Sequence, residues 1–203
     1  MDEKIPPQTG DVECFAIMYT PMNILVIYGS LREKSINKAL AQAIAEHKLD
    51  GMDVELCGVG DLPLYDQDIE QSAFPPEALE FKRKIAEAEG VIIVTPEYNR
   101  SMPGSLKNAI DWSSRPSGQH PWGGKPVGVM GASSGARGTI VAQYDLKRIM
   151  NYFGAHLMGN PEFHLDNSDE KITDDGVLQD EKTIAHLKKY LESFKSHVEK
   201  PIK

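Results

Sequence analysis

Short, nearly continuous apolar runs alternate along the chain with longer segments in which apolar residues recur every three or four positions. The runs lie at 23–29, 90–95 and 126–132, and a weaker one lies at 155–158. The segment 53–59, which contains Asp53 and Glu55, is predicted to be a second strand. An apolar run of this length without alternation is typical of a β-strand that is buried on both faces. The pattern therefore predicts five strands of a parallel sheet.

Helical spacing occupies the segments between and after these strands. Five helices are predicted. The first is marked by Ile36, Leu40, Ala43 and Ile44, and the second by Ala78, Phe81, Ile85 and Ala88. The third and fourth cover 104–113 and 139–153, and the last is marked by Ile184, Leu187, Leu191, Phe194 and Val198. Ser35 and Asn37, at the start of the first helix, are residue types that cap helices. Alternating strands and helices predict an α/β fold: a doubly wound, five-stranded parallel sheet with helices on both faces.

In a doubly wound sheet, ligands bind beyond the carboxyl ends of the strands, where the strand order reverses. We therefore look for function in the loops that follow the first, third and fourth strands. The segment between 60 and 76 is predicted to be a loop, and the acidic stretch 166–181 a loop that contains a short hairpin.

The first 21 residues do not fit this pattern. They begin with acidic residues, contain prolines and have only the short apolar run 15–19. A secretory signal has a basic start and a longer apolar centre. We predict that 1–21 is a poorly ordered extension and that 22–203 form one domain.

Composition and charge exclude several classes of function. The 203 residues carry a formal net charge of −8, which disfavours nucleic acid and anionic lipid as partners, and no apolar run approaches the roughly 20 residues of a membrane span. Cys14 and Cys57 form no CxxC pair and the six histidines match no HExxH motif, so neither a disulfide framework nor a metal site is expected. Two reduced thiols favour a cytoplasmic location.

The loop after the first strand carries groups that a phosphate monoester requires. Residues 29–37 read GSLREKSIN, with two hydroxyl groups, a guanidinium and a helix amino terminus, all of which attract a dianion. The chain contains neither GxGxxG after this strand nor GxxxxGK[ST], which argues against a pyrophosphate or ATP and favours a single terminal phosphate, as in FMN. On composition alone, an ordinary capped helix start is the other interpretation.

The loops after the third and fourth strands suit a flat ligand. Two prolines stiffen the loop 95–104, so its backbone can present fixed donors and acceptors to a heterocycle such as isoalloxazine, and Tyr98 can pack on the ring. The alternative is a structural turn anchored by Trp112, a residue that we predict to lie in the core. Small residues at 131–138 allow a planar ligand to approach the backbone.

Together these segments resemble the NADPH-dependent FMN reductase family, which includes bacterial quinone, chromate and azo-dye reductases. The resemblance covers about 22–198, and its motifs are GSLREKSIN at 29–37, LPLYDQD at 62–68, TPEYNRSMPGSLKNAIDW at 95–112 and GKPVGVMGASSGARG at 124–138. It implies a flavodoxin-like fold with strand order 2-1-3-4-5 and FMN held without a covalent bond.

The resemblance also implies the residues of the site. The FMN phosphate would be held by Ser30, Leu31, Arg32, Ser35, Ile36 and Asn37, the isoalloxazine would be lined by Pro96, Glu97, Tyr98 and Asn99, largely through backbone groups, and the pocket would be completed by Ala132 and Ser133. No catalytic side chain is expected, because the flavin itself carries the hydride. Family members are usually dimers or tetramers, which implies a homodimer or homotetramer with the LPLYDQD loop and Arg137 at its interface.

The predicted function is that of an FMN-dependent NAD(P)H oxidoreductase. NADPH or NADH would reduce the bound FMN, which would then pass electrons to a quinone, free flavin or a similar small acceptor. Two alternatives are a flavodoxin-like electron carrier that does not oxidise NAD(P)H, and a binding module that has kept the fold and lost the cofactor. The fold by itself does not decide between them.

Overall fold

The computed structural model describes residues 20–200, in which six strands and six α-helices follow one another. The strands are β1 (Met22–Tyr28), β2 (Met52–Gly58), β3 (Gly90–Val94), β4 (Pro126–Ala132), β5 (His156–Leu157) and β6 (Phe163–Leu165). The helices are α1 (Ile36–Glu46), α2 (Gln67–Ser72), α3 (Pro76–Glu87), α4 (Gly104–Ser113), α5 (Ile140–Tyr152) and α6 (Glu181–Glu199), and a 3-10 turn spans Ser168–Glu170.

The strands form one parallel sheet in the order β2-β1-β3-β4-β5, and β6 also pairs with β4. In this register Ile24 of β1 lies between Val54 of β2 and Gly90 of β3. The predicted order 2-1-3-4-5 is confirmed. Because the order reverses between β1 and β3, a crevice opens at their carboxyl ends.

Two apolar layers bury the sheet from both sides. Along β1, Ile24 and Val26 pack in the layer that contains α1 and α6, whereas Leu25 and Ile27 pack in the layer that contains α3, α4 and α5. All five residues of β3 are buried. The runs were continuous rather than alternating for this reason, and the predicted helices on both faces are confirmed.

The fifth strand predicted at 155–158 is confirmed, but a sixth strand was not predicted. β4 pairs with two short segments, β5 near its start and β6 near its end. Phe163 and Leu165 of β6 are buried next to the last residues of β4. Three residues are too few to show a periodic pattern, so the sequence did not reveal β6.

Of the two segments predicted to be loops, one contains a helix and the other contains the expected hairpin. Helix α2 lies inside the predicted loop 60–76, and because it has no buried residue it shows no apolar pattern; Asp66 caps its start. Within 166–181 an antiparallel bridge joins Ile172 to Leu178, in agreement with the predicted hairpin.

Most of the predicted extension, residues 1–19, lies outside the described residues, as does Cys14, so the division of the chain at residue 22 stays a prediction. Cys57 is a free thiol whose pKa is raised by burial. Between residues 20 and 200, no helix has the length and apolar character needed to cross a membrane. No group of three or more metal-ligating side chains is found in the same range.

Candidate functional site

A cavity of about 140 Å³ lies where the loops after β1, β3 and β4 meet at the carboxyl edge of the sheet. It is lined by Ser30, Arg32, Ser35, Ile36, Asn37, Pro96, Glu97, Tyr98, Ala132, Ser133 and Ser134. Of the residues predicted for the site, only Leu31 and Asn99 do not line it, and Ser134 was not predicted. Larger cavities exist, such as one of about 530 Å³ beside the carboxyl ends of α4 and α5. Another, of about 320 Å³, shares Ser35 and Ile36 with this site and extends to residues 172–176.

The amino terminus of α1 forms one wall of the cavity. Ser35 caps the helix, with its Oγ accepting a hydrogen bond from the Lys38 N–H at 3.2 Å. The first intrahelical bond runs from the Ala39 N–H to the Ser35 carbonyl oxygen. The N–H groups of Ile36 and Asn37 therefore precede the helical ladder and remain available to a ligand.

The electrostatics of this wall favour an anion. The first turn of α1 contains no acidic residue, although acidic side chains are the usual way to stabilise the positive end of a helix. Ser30 and Ser35 are buried residues that line the cavity, and Arg32, which also lines it, is exposed. Two residues with hydroxyl groups, an arginine and two N–H groups ahead of the helical ladder thus belong to one wall of the cavity.

Asn37 connects α1 to the end of β4. Its Nδ2 donates to the Ala132 carbonyl oxygen at 2.9 Å, and its Oδ1 accepts from the Ala132 N–H at 2.9 Å. Both bonds are buried, and Asn37 is 2% exposed. The side-chain amide is therefore occupied by the backbone of Ala132 and positions it, instead of facing the cavity as a free phosphate ligand.

The Glu97 side chain is bound to the start of α5. Its Oε2 accepts hydrogen bonds from the N–H groups of Val141 and Ala142, at 3.0 and 3.1 Å, and so caps α5. Thr139, which precedes α5, makes no side-chain capping bond. Because Oε2 already accepts two hydrogen bonds, the Glu97 carboxylate has little capacity left to bind a ligand in the cavity.

A tight turn follows at residues 98–101. Tyr98 and Ser101 exchange two backbone hydrogen bonds of 3.0 Å, and the two residues between them, Asn99 and Arg100, have φ angles of 51° and 66°. Such a two-residue hairpin prefers glycine at its second position, since a left-handed backbone costs other residues about 1–2 kcal/mol. Asn99 lies on this turn, which explains why it does not line the cavity.

The ends of β3 and β4 approach each other closely at Gly131. A Cβ atom there would collide with the Thr95 carbonyl oxygen and with Thr139 Oγ1. The next loop is held by a hydrogen bond from the Ser133 N–H to the Leu165 carbonyl oxygen at 2.9 Å. The loop after β4, which forms the third wall of the cavity, is thus held in place by β6, a strand that the sequence did not predict.

The LPLYDQD loop is clamped by α4. Asn108 Nδ2 donates to the Pro63 carbonyl oxygen at 2.8 Å, its Oδ1 accepts from the Tyr65 N–H at 2.7 Å, and Trp112 Nε1 donates to the same Pro63 oxygen at 2.7 Å. Leu64, between these anchored residues, is 81% exposed. Trp112 is fully buried, so its predicted place in the core is confirmed. Sequence reasoning missed the role of Asn108, although its spacing of four residues from Trp112 puts both on one helix face.

Comparison with known proteins finds a family model and several relatives that match most of the chain. A family model described as NADPH-dependent FMN reductase matches residues 22–170. A 2-hydroxy-1,4-benzoquinone reductase from a Burkholderia species is 44% identical over 177 residues, which cover 87% of this chain and 96% of the relative. A quinone reductase from Escherichia coli K12 is 37% identical, with 90% of this chain and 98% of the relative covered.

A solved structure is also similar over most of its length. The flavoenzyme FerB from Paracoccus denitrificans, an NAD(P)H:(acceptor) oxidoreductase, superposes with a TM-score of 0.81 at 38% identity. The match covers 88% of this chain and 97% of FerB.

Proposed function

The chain belongs to the NADPH-dependent FMN reductase family, and from this premise we propose that the cavity at the carboxyl edge of its sheet holds FMN, with the phosphate at the amino terminus of α1. The chain is an FMN-dependent oxidoreductase that uses NAD(P)H. The observation that carries the placement is the positive end of α1, which opens into the cavity without an acidic residue in its first turn.

The residues at α1 fit a phosphate monoester. Ser30 and Ser35 supply hydroxyl groups, and Ile36 and Asn37 supply backbone N–H groups that lie ahead of the helical ladder. Arg32 on the rim adds a planar donor pair that matches two phosphate oxygens. A neutral ligand would leave this set of donors without an acceptor.

The rest of the cavity fits a flat ring system. The walls contributed by Pro96, Glu97 and Tyr98 and by Ala132 and Ser133 present backbone groups that the α5 cap and the Asn37 bridge hold in place. At about 140 Å³ the cavity is smaller than the roughly 300–1,000 Å³ of enclosed ligand sites. A ligand of the size of FMN is therefore not enclosed, and part of it stays open to a second substrate.

The chemistry requires little more of the protein. FMN held by these residues would supply the redox chemistry between NAD(P)H and the acceptor. The protein binds and orients the ring, and its fixed N–H groups can stabilise negative charge that develops there. Glu97 is the only acidic residue that lines the described cavity, and its carboxylate is bound to the start of α5, so we assign no catalytic side chain.

We propose a small quinone as the acceptor. Support comes from the relatives, which include a 2-hydroxy-1,4-benzoquinone reductase and a quinone reductase that are similar over nearly their whole length. An acceptor of this kind is flat and can lie over the part of the ring that the cavity leaves open. The proposed cytoplasmic location would supply the NAD(P)H.

The chain is further proposed to form a homodimer or homotetramer. Leu64 is 81% exposed on a loop whose backbone is clamped on both sides by Asn108. Leu31, at 63% exposure, lies on the adjacent loop, where it approaches Gly60. A rigid loop loses little conformational freedom when it docks, so it suits an interface.

The test begins with wild-type protein stripped of flavin and titrated with FMN, followed by anaerobic turnover of NADPH and NADH with a benzoquinone. A failure to bind FMN would favour the cofactor-free module, and binding without NAD(P)H oxidation would favour the electron carrier. Arg32→Ala tests the phosphate placement. Its FMN affinity is expected to fall about tenfold or more, because a charged hydrogen bond is lost.

Arg148→Ala is the matched control for this measurement. Arg148 is an exposed arginine whose nearest acidic partner is Asp145, at 4.0 Å. Its removal should leave FMN affinity unchanged. Equal affinities of the Arg32 and Arg148 variants would contradict the phosphate placement.

A further inference from the structure

Arg100 occupies a backbone position at which an arginine is unfavourable. It is the second residue of the two-residue turn between Tyr98 and Ser101, with φ at 66°. Glycine adopts this conformation without steric cost. The turn itself therefore gains nothing from a side chain at position 100.

The Arg100 guanidinium also contributes little to the fold. Its side chain is 64% exposed, and its ion-pair contact with Glu97 is long, at 3.9 Å from Nη1 to Oε1. The other oxygen of Glu97 already accepts two hydrogen bonds from the start of α5. Exposed pairs of this kind stabilise proteins only weakly, so the charge is free to bind something else.

The turn holds this cation next to the cavity. Tyr98 lines the cavity, and two backbone hydrogen bonds tie it to the residue that follows Arg100. The chain as a whole carries a net charge of −8, so an arginine at this place adds a local attraction for anions to that of Arg32. The single phosphate of FMN is already accounted for at α1.

We propose that Arg100 binds a phosphate group of the incoming NAD(P)H and thereby sets the affinity of the enzyme for this co-substrate. The inference rests on the function proposed above. The nucleotide carries a pyrophosphate in both forms and an additional 2′-phosphate in NADPH, and guanidinium is the group best suited to bind phosphate through two hydrogen bonds. Bound in this way, the nucleotide has its position fixed at one end while its nicotinamide reaches the site.

Arg100→Gly separates this role from a structural one. With FMN bound, we expect its KM for NADPH to rise about fivefold or more, while kcat changes less than twofold and KM for a neutral benzoquinone stays the same. The variant should unfold at the same temperature as wild type or a few degrees higher, because glycine relieves the turn. A purely structural side chain would instead lower thermal stability when removed.

The two nucleotides identify the phosphate. A rise in KM for NADPH alone assigns Arg100 to the 2′-phosphate, and an equal rise for NADH assigns it to the pyrophosphate. Arg100→Lys keeps the charge and should restore part of the affinity, and the KM of wild type should increase with ionic strength more steeply than that of Arg100→Gly.

Arg148→Ala again serves as the control and should leave both KM values as in wild type. The inference is overturned if Arg100→Gly keeps both nucleotide KM values within twofold of wild type, or if Arg148→Ala changes them equally. Wild-type turnover is measured in the same series. Active wild type with an unaffected Arg100 variant rejects only the role of Arg100, whereas inactive wild type rejects the proposed function.

Discussion

The Asn37 bridge to Ala132 allows a quantitative test of what holds the site together. Asn37→Ala removes two buried hydrogen bonds and leaves the N–H and C=O of Ala132 without partners. Each bond contributes about 0.5–1.5 kcal/mol, and each buried group left unpaired costs about 1–3 kcal/mol. Since these terms overlap, we expect a loss of about 2–4 kcal/mol in the free energy of unfolding.

A loss of that size is large compared with the total stability of about 5–15 kcal/mol that is usual for a domain. For a chain of this length it lowers the melting temperature by about 5–15 °C. The assay is urea and thermal unfolding followed by circular dichroism, first on flavin-free protein and then with FMN bound.

Asn151→Ala is the matched control. Asn151 lies in α5 and is exposed, so the same helix-propensity gain from alanine applies to both variants and cancels in the comparison. We expect Asn151→Ala to change stability by less than about 0.5 kcal/mol. The reasoning is refuted if Asn37→Ala loses no more than the control. A loss that appears only with FMN bound would show that Asn37 acts on the ligand, as the family resemblance implies.

Two other predictions follow from groups outside the cavity. Burial, together with the neighbouring His197, lowers the pKa of His156, so the unfolded chain takes up a proton at a higher pH than the folded one. The free energy of unfolding should therefore fall as the pH drops through about 6.5. It can be measured by urea unfolding at a series of pH values, and the assignment is contradicted if His156→Gln shows the same pH dependence as wild type. Leu64→Ser should shift the mass measured by light scattering at micromolar concentration towards the monomer, because an exposed apolar anchor is lost, and an unchanged subunit dissociation constant would exclude Leu64 from the interface.

Much of the fold could be predicted because its signals are local in the sequence. The apolar run of β3 has no polar position, and a strand with two buried faces allows none. Helix α4 was predicted with the bounds observed, since Pro103 precedes its first residue and its apolar spacing ends at Ser113. Helix α2 and strand β6 were not predicted, because β6 is too short and α2 too exposed to show a hydrophobic period in the sequence.

The meeting of the three loops was also predictable. The carboxyl ends of parallel strands share one edge of a sheet, so residues as distant in sequence as Ser35, Pro96 and Ala132 meet whenever the strand order is right. The position of a residue in a loop does not, however, say which way its side chain points. Glu97 is among the residues that line the cavity, but its carboxylate caps α5.

The sequence by itself determined which segments become strands and helices, and through them the edge of the sheet at which the loops converge, because hydrophobic period and helix capping act between neighbours along the chain. Only the tertiary structure decided the partners of individual polar groups. Asn37 bonds to a residue 95 positions away, and Asn108 to one 45 positions away. Such pairs form because a polar group buried by packing must find a hydrogen-bonding partner, and which partner is within reach depends on how distant elements pack together.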